Sequence, residues 1–396
     1  EVKAFVGSHP STYNLIYPEC YLEAGDKPQR IATIQKAMHD YLGEGIVQNI
    51  GKGFILVERY TPFEKHPRKG LIFAVDLEAY QFGKQVTSMV RPTEGTILER
   101  LPPRMEIRRG APLELPHIML LIDDPCRTVI EPLYARMSDF KTLYDFDLMQ
   151  KAGHIKGVHI TDERTLATIA DALETLQHAF TKKYADKAPL LFAVGDGNHS
   201  LATAKQIWEE IKKANSGNPG IMNHPARYAL VELVNIYDEG LPFHPIHRVL
   251  FKADKALLEK ALQEAGAHIE PMPFAEAVKH TDDIHTTEHR FVLIHESGTS
   301  LVRFSKPQAV LATSTIQAVL DGYLKAHQES GIDYIHGTES LEQLAKKPGN
   351  LGLYLPPVRK DTFFTYIIEH GVMPRKTFSM GEAPEKRFYI EARKIV

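Results

Sequence analysis

Apolar residues recur along the 396-residue chain in two rhythms, and their alternation predicts mixed α and β structure. Residues 28–42 carry Ile31, Ile34, Ala37, Met38, Tyr41 and Leu42 at helical spacing. Pro28 sits near the start, where proline is tolerated, and Gly43 and Gly45 stop the run. Short apolar runs at 54–57, 71–75 and 115–122 read as strands. The Pro- and Arg-rich stretch from 91 to 110 reads as loop plus a short helix. The middle of the chain begins polar and helix-prone. It then places Leu166, Ile169, Leu173, Leu176 and Phe180 on one face of a helix over 163–184, with Thr161 or Asp162 as its cap. Residues 190–194 predict a buried strand and 200–214 a helix bearing Leu201, Ala204, Ile207, Trp208 and Ile211. Residues 227–236 form a further strand. The last third alternates helices at 256–265, 316–323, 338–346 and 360–370 with strands at 290–295, 301–304 and 351–355. A basic, loop-rich tail follows. The sum is an α+β fold of mixed sheets with flanking helices.

Length and composition narrow the options. A chain of 396 residues exceeds one ordinary domain, and three regions are expected, at 1–135, 136–255 and 256–396. Hydrophobic residues at 43% suffice for a real core. Lys plus Arg number 47 against 50 Asp plus Glu, so a net charge of −3 gives no general attraction to nucleic acid. No apolar run approaches the roughly 20 residues that cross a bilayer. Two cysteines, Cys20 and Cys126, make neither a disulfide framework nor a cysteine zinc site. A cytoplasmic protein without a membrane partner is expected. The opening Glu1 in place of Met reads as processing or trimming of a longer chain.

Four segments carry candidate chemistry. The first is Gly195-Asp196-Gly197-Asn198-His199-Ser200, between a buried strand and a helix. Glycines let the backbone turn sharply and approach a ligand, and the helix start points N–H groups and a positive dipole end at the loop. Phosphate suits such a place, with His199 and Ser200 as donors and Asp196 as a metal ligand or proton acceptor. The structural alternative is a tight turn capped by Asp196 or Ser200. The loop is neither a Walker A motif nor a dinucleotide fingerprint. The second is Arg91-Pro92-Thr93-Glu94-Gly95-Thr96, followed by Arg100, Arg104, Arg108 and Arg109. Arginine forks suit phosphate or carboxylate, although a solvated charged face is the commoner fate of such runs. The third is Phe243-His244-Pro245-Ile246-His247-Arg248. With His199 and His224 it offers histidines without recognised zinc spacing, so Arg248 as an anion contact is favoured over a metal site. The fourth is the tail around Arg375, Lys376, Thr377 and Ser379, an anion-closing segment or simply a basic solvated loop.

Taken in order, these segments resemble the domain of unknown function 1015 family. Family members carry Arg-Pro-His-Glu-x-Thr, similar to Arg91–Thr96 here, and Asp-Gly-His-His-Arg after a strand, similar to residues 196–200. They also carry Thr-His-Arg, similar to the segment at His247 and Arg248, and Met-Pro-x-Lys-(Ser/Thr), similar to 373–377. Asn198 stands where relatives have His, and Ser200 where they have Arg. The Asp-Gly-x-His loop is also similar to the phosphate loop of ParB/sulfiredoxin-like proteins, which include a free serine kinase.

The resemblance implies a ParB/sulfiredoxin-like core in the central region and a nucleotide, ATP or ADP with Mg2+, as cofactor. Gly195, Gly197, Asn198, His199, Ser200, Arg91, Arg248 and Lys376 would bind it, with Asp196 as metal ligand and Glu94, Asp196 and His199 catalytic. The implied activity is phosphoryl transfer to a hydroxylated, serine-like metabolite. A nucleotide-gated binding protein and, behind it, a metal-dependent hydrolase are the alternatives. A second copy of the chain is admitted as a partner, and the charge balance argues against nucleic acid.

Overall fold

The apolar runs around Leu56 and Ile72 lie at the centre of a large sheet. In the computed structural model, which describes residues 1–83, 86–115, 117–283, 285–381 and 390–396, nine strands precede residue 240. They are β1 (Phe54–Tyr60), β2 (Arg68–Asp76), β3 (Val90–Pro92), β4 (Leu113–Glu114), β5 (Met119–Ile122), β6 (Lys141–Asp147), β7 (His154–Ile160), β8 (Phe192–Asp196) and β9 (Tyr228–Asn235). All but β4 join one eight-stranded sheet in the order β3-β8-β5-β9-β2-β1-β7-β6. The fold is α+β. Two compact units make up the chain: residues 1–241 and 370–372 with the C-terminal end in the first, and 242–369 with 373–381 in the second. Strands from 54–92 and from 119–235 thus share one sheet.

Among the described residues, six helices accompany the first unit: α1 (Val2–Val6), α2 (Lys27–Gly43), α3 (Leu101–Arg108), α4 (Glu131–Tyr134), α5 (Glu163–Lys183) and α6 (Asn198–Ala214). Asp162 caps α5 by accepting from the Thr165 N–H at 2.8 Å. The apolar stripes of α5 and α6 pack Ile169, Leu201, Ala204 and Trp208 onto Leu56, Leu71, Val158, Val194 and Leu233 of the sheet. Each such large side chain, once buried, stabilises by about 1.5–3 kcal/mol. The opposite sheet face is mixed. Val57, Ile72, Leu148 and Ile155 form an apolar cluster. Beside it Arg68 makes a two-pronged bond to Glu232, at 3.1 and 3.2 Å. The C-terminal strand β18 (Arg393–Lys394), which follows the strands of the second unit in sequence, pairs with β4. Arg393 and Arg108 both bond the buried Glu114, at 2.7 and 2.6 Å.

The polar stretch from 136, expected to be helix-prone, is instead the β6–β7 hairpin at the sheet edge. Five of the seven β6 residues are exposed, so the strand carries little apolar alternation to read. The strand expected at 115–122 is confined to β5, and Pro116 lies outside the described residues. No helix among the described residues is long and apolar enough to cross a membrane.

The second unit holds β10 (Phe243–Pro245), β11 (His247–Phe251), β12 (His268–Pro271), β13 (His289–His295), β14 (Gly298–Phe304), β15 (Gly331–Ile335), β16 (Asn350–Tyr354) and β17 (Phe378–Met380). Six of them form an antiparallel sheet, β12-β14-β13-β16-β11-β15. The helices Lys255–Glu264 and Ala312–Ala326 bury Leu258, Leu262, Ile316 and Leu320 against it.

Candidate functional site

The strand β8 lies between β3, which runs parallel to it, and the antiparallel β5. Parallel pairing sets Val90 opposite Phe192 and Pro92 opposite Val194. The segment after β3 therefore emerges at the same end of the sheet as the Gly loop after β8. Gly197 turns the chain in the left-handed region, at φ 79° and ψ 25°. A Cβ there would stand 2.6 Å from the His117 carbonyl oxygen and 3.0 Å from Ile118 Cα, so the loop needs glycine for space and for conformation. The 17-residue helix α6 starts at the next residue and has no capping side chain. The Asp196 carboxylate bends back instead and accepts from the Gly197 N–H at 2.7 Å. The first-turn N–H groups of Asn198, His199 and Ser200 have no carbonyl one turn earlier within the helix. With the helix dipole they make an end suited to an anion.

Side chains weld the two segments together. The buried Thr93 hydroxyl donates to the Val194 carbonyl at 2.6 Å. The Asn198 amide donates toward the Thr93 hydroxyl at 3.4 Å. Its Oδ1 is buried without a hydrogen-bond partner among the described residues. His199 Nε2 accepts from the Ile97 N–H at 3.2 Å, which places the proton of the neutral ring on Nδ1. His117 Nε2 stands 3.9 Å from Asp196 Oδ2. Burial pushes that imidazole down to about 4 against the pull of the Asp196 carboxylate, so it is neutral at pH 7.

A family model described as a protein of unknown function (DUF1015) matches residues 1–323. The chain belongs to the DUF1015 family. No curated protein matches it. Solved structures similar to this DUF1015 protein include a free serine kinase in complex with AMP, at 11% identity and a TM-score of 0.42, covering 82% of this chain and 91% of that one. A conserved hypothetical protein from Pyrococcus furiosus is similar at 12% identity and a TM-score of 0.39, covering 82% and 94%. SbnI from Staphylococcus aureus, truncated at its C-terminus, is similar at 8% identity and a TM-score of 0.40, covering 79% and 83%.

The structure brings Glu94, Asp196, Gly197, Asn198, His199 and Ser200 to one end of the sheet. Gly195 is the penultimate residue of β8. Arg91, expected at a nucleotide, sits elsewhere. Its guanidinium is buried and bonds the carbonyls of Ser88 at 2.8 Å and of Ala188 at 2.6 Å. Those residues precede β3 and β8, whereas the loop follows them, so Arg91 fastens the strand starts. Arg248 and Lys376 belong to the second unit of this DUF1015 protein. Arg248 is fully buried, lies over the Tyr334 ring at 4.8 Å, bonds the Gln317 side chain at 3.3 Å and is pushed down by burial to about 10. Lys376 is an exposed turn residue with φ 57°. No group of three or more His, Cys, Asp or Glu arranged for a metal occurs among the described residues.

Two residues of the site escaped the sequence reading. Thr93 stood inside a motif singled out for its charges, and its buried hydroxyl is the real connector. His117 precedes a short apolar strand and carries no periodic signal at all.

Proposed function

We propose that this DUF1015 protein is a nucleotide-dependent small-molecule kinase, with ATP or ADP as phosphoryl donor and a hydroxylated metabolite as acceptor. The observation that carries the reading is the uncapped start of α6 behind a left-handed glycine, which leaves the first-turn N–H groups turned toward the loop. Phosphate oxygens would accept from the N–H groups of Asn198, His199 and Ser200 and from the Ser200 hydroxyl. His199 contributes by tethering the 93–97 segment through Ile97. The half-buried Glu94 on that segment is the general base of this reading. The acceptor hydroxyl oxygen attacks the terminal phosphorus, its proton passes to the Glu94 carboxylate, and the nucleotide leaves one phosphate shorter. Serine is the first acceptor to test, on the resemblance of the loop to that of free serine kinase.

Mg2+ commonly holds one or two carboxylates plus substrate phosphates, so Asp196 alone fits it without a protein cage. Bound there, the ion would offset charge on the phosphates. The reading rests on first-unit residues, and Arg248 and Lys376 form no part of it. Exposed free Cys20 and Cys126 suit a reducing cytoplasmic setting.

The test is nucleotide turnover with serine, threonine and glycerol as acceptors. Glu94→Gln should lower turnover by about 100-fold while nucleotide affinity holds. Wild-type turnover in that variant would remove Glu94 from the mechanism, and nucleotide binding without turnover on any acceptor would leave a nucleotide-gated binding protein.

A further inference from the structure

The first unit also contains a cavity of about 250 Å3, walled by the N-terminal segment, the β1–β2 loop and the β6–β7 turn. Its floor is apolar, with Ile16, Met149 and Ala152, and Phe63 stands 46% exposed at its rim. In the sheet, β8 and β7 are five strand steps apart. At about 4.8 Å per step, that sets the turn roughly 24 Å from the Gly loop.

The turn is built against its own backbone preference. Gln150 (φ 60°) and Lys151 (φ 57°) both adopt the left-handed region, and the Ala152 N–H closes the turn on the Met149 carbonyl at 3.3 Å. Two successive left-handed residues are the conformation for which hairpins use Asn-Gly. Next to them, Gly153 presses so close that a Cβ would lie 1.9 Å from the Tyr60 carbonyl oxygen, which ties the turn to the end of β1. The turn thus presents two long side chains in adjacent left-handed positions where Asn-Gly would cost less. Both Gln150 and Lys151 line the cavity. Lys151 makes no ion pair, and the Thr12 hydroxyl and Tyr13 phenol no hydrogen bond, among the described residues.

We infer that this cavity binds a metabolite-sized organic acid, its apolar body on Ile16, Met149 and Ala152 and its carboxylate on Lys151. An apolar floor with a few convergent polar groups is the usual make-up of a small-molecule site, and the volume lies just below the 300–1,000 Å3 of drug-sized ligands. The inference is independent of the kinase reading.

The test is calorimetric titration of the whole chain with 3-phenylpropanoate, 3-phenylpropanol and inorganic phosphate. Saturable binding of the acid is expected, with the alcohol at least about tenfold weaker and phosphate alone silent. The double variant Gln150→Asn, Lys151→Gly suits the turn better, so it should keep its fold with a raised Tm while acid affinity falls at least about tenfold. Asn198→Asp, at the Gly loop, should leave acid binding unchanged. No saturation by the acid, equal binding of the alcohol, equal binding of phosphate, or full affinity in the double variant would each overturn the proposal. Loss of acid binding in Asn198→Asp would overturn it by placing the acid at the Gly loop.

Discussion

Two left-handed turns in the first unit solve the same backbone problem with opposite residues. At Gly197 the conformation and the nearness of the His117 carbonyl leave room for glycine alone. At Gln150 and Lys151 the chain takes the same region with two long side chains. In the proposed kinase reading the first turn serves backbone N–H groups, because a bare backbone can come close to a phosphate. In the inferred organic-acid site the second serves side chains, at a conformational cost of about 1–2 kcal/mol per residue.

The comparison breaks most visibly at Gly197. Gly197→Ala must place a methyl group 2.6 Å from a backbone oxygen in an unfavourable conformation. Chemical denaturation should show a loss of about 2–4 kcal/mol. A near-neutral result would mean that the loop relaxes freely and is not built around this residue. The opposite sign is expected at the second turn. Gln150→Asn with Lys151→Gly should raise stability by about 1–2 kcal/mol in the same assay. A destabilised double variant would show that the side chains hold the fold rather than a ligand.

His199→Ala sharpens the first half of the comparison. It removes the acceptor for the Ile97 N–H, so stability should fall by about 1 kcal/mol. Hydrogen exchange at Ile97 should rise, and unchanged protection there would deny the tether.

The smallest effect is a pH effect behind α6. Glu78 accepts from Trp208 Nε1 at 2.5 Å and from Lys212 at 2.7 Å. Burial pushes its carboxyl up, but the bonds from Lys212 and Trp208 outweigh that and hold it at about 2. A carboxylate with a depressed folded pKa adds stability above its unfolded value, near 4.5, and loses it as pH falls toward 2. With its side chain 32% exposed, the contribution should be no more than about 1 kcal/mol. Trp208 is the single tryptophan, so its fluorescence between pH 5 and 2 reports the titration directly. A flat signal in that range would contradict the bond.

Much of the fold was legible because helices that bury one stripe must repeat apolar residues at helical spacing. The stripe Leu201, Ala204, Ile207, Trp208 and the Asp162 cap were visible for that reason. The β6–β7 hairpin was not, because an edge strand exposed to water needs few apolar positions. At the site, the Gly loop and Glu94 were legible as a motif, whereas the direction of each side chain was not. Arg91 sits in a suggestive motif, but parallel pairing with β8 sends its guanidinium to the carbonyls of Ser88 and Ala188. His199 looked like a phosphate donor, yet the nitrogen that the structure fixes accepts from a backbone N–H. The cavity beside Lys151 joins segments more than 130 residues apart in sequence, from Thr12 to Lys151, and no local pattern announces it.

The central claim is that the start of α6 binds nucleotide phosphates. It is tested most directly by calorimetric titration of the wild type and Asn198→Asp with ATP and ADP in the presence of Mg2+. The substitution keeps the shape of the side chain, gives up the long donation toward Thr93, and puts a negative charge at a helix start, where it favours the helix while repelling a phosphate. The account predicts saturable binding in the wild type, weakened at least about tenfold in a variant that remains fully folded. Absence of binding to the wild type, or undiminished binding to Asn198→Asp, would contradict it.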